Sequence, residues 1–84
     1  MSYNKISNHI KGIIEKKLLV DTSTLASDDN LSISLGIDQE IDLPLIISGI
    51  KEKYEISHEA KSLLKQATTL NQLTNIVFEE TELG

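Results

Sequence analysis

The chain has 84 residues, with 13 acidic side chains against 8 basic ones and a net charge of −5. A chain of this length makes one small domain, burying only about 60% of the surface it exposes when unfolded. It has no cysteine, which excludes disulfides, thiolate metal sites and thiol nucleophiles, and all eight basic residues are lysines, so the planar fork for bidentate phosphate recognition is missing.

The first helix is expected over residues 4–18. Ile6, Ile10, Ile13 and Ile14 fall on one helical face and Leu18 extends the stripe. Lys5, Lys11, Glu15 and Lys16 lie between them, facing water. Ser2 or Asn4 can cap the start. Gly12 costs up to about 1 kcal/mol relative to Ala inside a helix, which suggests close packing against a neighbour.

Residues 20–37 read differently. Asp21-Thr22-Ser23-Thr24 and Ser27-Asp28-Asp29-Asn30 favour turns and caps. Leu31, Ile33, Leu35 and Ile37 alternate with the period of a strand. A lone strand has no partner and is unstable, so a long ordered loop with alternate apolar anchors is expected instead.

The second helix is expected over 43–54, on Leu43, Ile46, Ile47, Ile50 and Tyr54, with 38–42 in a turn. Pro44 sets that start, because proline is tolerated in the first turn and costs about 3 kcal/mol or more in the interior. Lys51 and Lys53 suit its C-terminal dipole. Ser57 caps a third helix over 58–66, with Ala60, Leu63 and Leu64 as its apolar face. Thr69-Leu70-Asn71-Gln72 has the pattern of a capping box and opens a fourth over 70–78, with Leu70, Leu73, Ile76 and Val77 inward. The acidic tail 79–84 is expected to fray. The fold class is all-α: a small four-helix bundle in one domain, with a long loop between its first two helices.

Leu35-Gly36-Ile37-Asp38, then Ile41-Asp42-Leu43, then Ile50 through Tyr54 and Glu55-Ile56, resembles the acyl carrier proteins. Asp28-Asp29-Asn30-Leu31 and Thr68-Thr69-Leu70 are similar to that family's pieces before Leu-Gly and before its last helix. The likeness spans roughly residues 4–78. It implies a four-helix fold with a long first loop, a role in acyl-chain biosynthesis of the fatty-acid or polyketide type, and docking to acyl-transfer enzymes near the second helix.

The family attaches 4′-phosphopantetheine to the Ser of its Asp-Ser-Leu motif. Here the chain reads Asp38-Gln39-Glu40-Ile41-Asp42. Counting forward from Leu35-Gly36 puts Gln39 at that position, and counting back from Tyr54 puts Glu40 there. Neither has a hydroxyl, so no arm is expected at the usual site. The resemblance then leaves two functions: a variant carrier without the standard serine, or a non-catalytic docking or regulatory module on the same scaffold. An arm would require an unusual Ser: Ser34 would need the second helix to begin before Gly36 and run through Pro44, and Ser48 reads as an inert hydroxyl within that helix. The family's acidic docking residues on the second helix are replaced by Leu45, Lys51 and Lys53, leaving Glu52.

Other constellations read as structural. His9 and His58 are expected to be solvated surface histidines, and Asp28, Asp29 and Asn30 to form turns rather than a metal site. Glu40 near a helix start suits the dipole. No catalytic motif stands out, so the chain is not expected to be an enzyme. Net charge argues against nucleic acid and anionic membrane, and Tyr3, Tyr54 and Phe78 make no base-stacking platform. Residues 1–5 are followed by no signal-peptide core. A cytoplasmic monomer is expected.

Overall fold

The computed structural model describes residues 2–83, with side chains through Thr81. Met1 and Gly84, the last residue of the expected frayed tail, lie outside the described residues. In chain order the elements are α1 (Tyr3–Leu18), α2 (Leu31–Leu35), α3 (Leu43–Lys53), α4 (His58–Leu64) and α5 (Leu70–Leu83). Among the described residues there is no strand, only an isolated antiparallel bridge between Asn30 and Thr69. Among the described residues the bundle is all-helical, with five helices rather than four.

α1 forms as its stripe dictates. Ser2 caps it, its Oγ accepting from the Lys5 amide at 3.2 Å. Ile6, Ile10 and Ile14 are wholly buried, and the helix packs on both α3 and α5. It ends at Leu19, whose amide donates to the Glu15 carbonyl from a left-handed conformation with φ 56°. The packing reading of Gly12 is overturned: nothing comes within 4 Å of a Cβ built there. The close approach is at Gly49 on α3, where such a Cβ would overlap Ile13 Cγ2 and meet Lys17 Cε at 3.3 Å. Gly49 is therefore the glycine that lets α1 and α3 come together.

The loop expected over 20–37 contains α2, a correction. Asn30 Oδ1 accepts from the Ile33 amide at 3.1 Å and starts the turn, and Gly36 at φ 67° ends it. Leu31 is buried and Leu35 half-buried, while Ile33 is 83% exposed. The alternation of apolar residues was thus misleading: residues 31 and 35 share a face at helical spacing, and 33 points into water. So short a helix is held by its surroundings. The Leu31 amide donates to Thr68 O at 2.8 Å and the Asn71 amide to Ser27 O at 2.8 Å, pinning the segment to the start of α5. Earlier in the segment, buried Thr22 donates its amide and hydroxyl to Glu15 Oε2 at 3.0 and 2.8 Å. Those two donors hold the Glu15 carboxyl below its usual range.

α3 starts where Pro44 requires, with Asp42 at the boundary and Pro44 in the first turn. It closes at Lys53, leaving Tyr54 as an extended cap rather than part of the helix. Ser57 caps α4 through the Ala60 amide at 3.1 Å. α4 stops at Leu64, two residues short of the expected end, and Leu63 is 54% exposed rather than core. Thr69 and Gln72 form the reciprocal capping box, at 3.1 and 3.2 Å. α5 runs on to Leu83 instead of ending at 78. Glu80, on this extension, accepts from the Ser57 amide at 2.8 Å and ties it to the start of α4. One core joins these elements, with Ile46, Ile50, Leu64, Leu70, Leu73 and Val77 fully enclosed.

Candidate functional site

The segment that leads into α3 is a closed polar turn. Asp38 Oδ1 accepts from the amides of Glu40 at 2.7 Å and Ile41 at 3.1 Å. Asp42 Oδ2 accepts from the Asp38 amide, and the Asp42 amide returns to the Asp38 carbonyl, both at 2.8 Å. Asp38 therefore caps one turn of backbone that precedes α3, and two acids stand at the positive end of the helix.

Gln39 turns inward. Its Nε2 donates to Ala67 O at 2.8 Å, and its Oε1 accepts from Ser32 Oγ at 3.5 Å. It bridges α2, the start of α3 and the segment after α4. Glu40 stays exposed. No side chain from 38 to 43 carries a hydroxyl. An amide or a carboxylate cannot form the phosphodiester that a phosphopantetheine arm requires, so these residues do not fit that group. Ser34 on α2 and Ser48 on α3 are both exposed.

Beside Gln39 and Glu40 a groove opens between α3 and α4. The part next to the turn, about 280 Å³, has Leu43, Pro44 and Ile47 as its floor and Lys65 on its rim. It shares Pro44, Ile47 and Lys65 with a larger part of about 550 Å³, which adds Ser48, Lys51, Glu52 and Lys61. Ile41 and Leu45, one helical turn apart, are 68% and 44% exposed. The helix start thus presents apolar surface to water beside an open trough. The groove was not legible in the sequence, because it arises from the packing of α3 on α1 and α4 on α5.

His9 corrects an expectation. It is half-buried, with Nδ1 2.6 Å from the Tyr54 hydroxyl. Burial holds its pKa below the usual histidine value, and Lys53 and Lys5 push the same way. Burial also raises the Tyr54 hydroxyl. His58 is exposed, as expected. Asp29 Oδ2 accepts from the Ala26 amide at 2.9 Å, which is turn chemistry. Among the described residues no group of three His, Asp or Glu could hold a metal ion, and no helix is long and apolar enough to cross a membrane.

The chain matches no family model, and neither a curated protein nor a solved structure matches it.

Proposed function

We propose that the chain is an acyl-carrier-like domain of fatty-acid- or polyketide-type biosynthesis that works without a phosphopantetheine arm. On this reading it is a non-catalytic docking module, engaging proteins of an acyl-transfer pathway through the start of α3. The order of motifs from Leu35-Gly36 to Tyr54 motivates the carrier scaffold. The observation that carries the loss of the arm is the turn at 38–42, where Gln39 is spent on Ala67 O and no hydroxyl is present. The exposed Ile41 and Leu45 beside it supply surface for a protein partner.

The test is intact mass after incubation with a broad-specificity phosphopantetheinyl transferase and coenzyme A. The expected result is an unchanged mass. A gain of one arm overturns the proposal, and peptide mapping would place it on Ser34, Ser48 or another hydroxyl. A variant that lacks Gln39 and carries Glu40→Ser is expected to gain the arm. Failure of that variant despite a retained fold counts against the carrier alignment.

A further inference from the structure

Six of the eight lysines stand on the two flanks of α3. Lys51, Lys61 and Lys65 line the groove toward α4, and Lys16, Lys17 and Lys53 line a hollow toward α1. This clustering runs against a net charge of −5. Glu52 borders both hollows, and its carboxylate oxygens lie 3.3 Å from Lys17 Nζ. Lys51, Lys61 and Lys65 have no ion-pair partner among the described residues. Lys61 and Lys65 are one helical turn apart, a spacing at which like charges repel. Beside Lys65 lies the apolar floor of Leu43, Pro44 and Ile47.

We infer that the groove between α3 and α4 receives an acidic amphipathic segment of a partner protein. Its apolar side chains lie on Pro44 and Ile47, and its carboxylates meet Lys51, Lys61 and Lys65. The inference rests on the docking reading above and gives the partner its chemistry. Glu40, at the opposite end of the groove, repels carboxylates. Glu52, at the Lys51 and Lys61 end, is engaged by Lys17, so the acids of the segment are placed toward Lys51 and Lys61. A nucleic acid or an anionic bilayer carries continuous negative charge and would also face the 13 acids of the chain. A peptide can confine its charge to where the lysines stand.

The experiment titrates the full chain with a labelled amphipathic helix of Leu and Glu, and with the same peptide carrying Lys for Glu. Fluorescence anisotropy is read at low and raised salt, and amide shifts map the contact. The Glu peptide is expected to bind at least about tenfold more tightly than the Lys peptide, more weakly as salt rises. It should move the amides of Ile47, Ser48, Lys61 and Lys65. Combining Lys51→Gln, Lys61→Gln and Lys65→Gln is expected to cost about tenfold in affinity with helicity unchanged. The single Lys65→Gln variant, at an exposed position, is expected to cost about two- to threefold should the triple variant fail to fold. Equal affinity for the two peptides, shifts mapped elsewhere, or variants that bind like the parent would overturn the inference. So would tighter lysine-dependent binding of single-stranded DNA or phosphatidylserine vesicles. Unchanged mass with no peptide binding sinks this inference alone. A gained arm with peptide binding intact sinks only the proposed function.

Discussion

α3 is held in two different ways on its two sides. Toward α1 the helices touch across Gly49, and Ile13 fills the space a side chain would need. Toward α4 there is a trough whose floor includes exposed Pro44 and whose rim carries Lys51, Lys61 and Lys65 beside Ser48 and Glu52. At Gly49 the first side is closed by the fit of apolar surfaces, and the shallow hollow beside that contact is lined by Lys16, Lys17 and Lys53. The second is left open and is crossed near its end by a side-chain hydrogen bond from Gln39. Stability and availability are divided in so small a protein: the Gly49 contact fixes the helix on one flank, and the other flank stays accessible.

The largest expected contrast tests that division directly. Ile46 and Leu45 are adjacent on α3, but Ile46 is wholly buried and Leu45 is 44% exposed. Ile46→Ala is expected to cost about 2–5 kcal/mol of unfolding free energy, since it removes buried methyl groups and leaves a cavity. Leu45→Ala is expected to stay within roughly 0.5 kcal/mol. Urea denaturation measures both. Comparable losses would mean that the exposed edge is part of the core after all.

The two glycines give the next contrast. Gly49→Ala is expected to destabilise by about 1–3 kcal/mol, because its new methyl meets the stiff branch of Ile13 at the α1–α3 contact. Gly12→Ala meets nothing within 4 Å and is expected to stabilise by about 0.5–1 kcal/mol through helix propensity. Thermal midpoints should move in opposite directions. A stabilising Gly49→Ala would show that the closed flank has slack.

On the open flank, Gln39→Ala removes the bond to Ala67 O. The expected cost is about 1 kcal/mol, together with faster amide exchange at the end of α4. No change in either would mean that the trough keeps its shape without this tie.

How much of this was legible follows from how local each signal is. The α1 stripe, the Ser57 cap and the Thr69–Gln72 capping box depend on residues within one or two turns of each other, and the sequence displays them directly. Pro44 likewise marked where α3 begins. α2 was hidden because Leu31, Ile33, Leu35 and Ile37 satisfy two periods at once, and what decides between them is Asn30 at one end and Gly36 at the other. α5 outran its expected end because Glu80 reaches Ser57, a contact 23 positions away in the chain. The Lys51, Lys61 and Lys65 cluster, the Gln39 bridge and the Gly49 contact join separate helices, and no window of sequence contains them. The histidine reading failed for the same reason: His9 and Tyr54 are 45 residues apart.

That pair supplies the smallest expected effect, and it belongs to the α1 side of α3. His9 is partly withdrawn from water, with Lys53 and Lys5 near it, so the folded protein binds its proton less readily than the unfolded chain does. As pH falls below the unfolded value of 6.5, the unfolded state takes up the proton first and gains free energy relative to the fold. The contribution of neutral His9 is therefore complete above 6.5 and is lost as pH drops toward the lower folded value, where it levels off. Glu15 is also depressed by its bonds to Thr22, but its window lies below 4.5, so the two do not overlap at the upper end. Urea midpoints between about pH 7 and pH 5.5 should fall for the parent and fall less for His9→Asn, which cannot titrate there. Parallel slopes for the two proteins would mean that water reaches His9 freely, and that the closed flank of α3 is sealed at Gly49 but not at its C-terminal end.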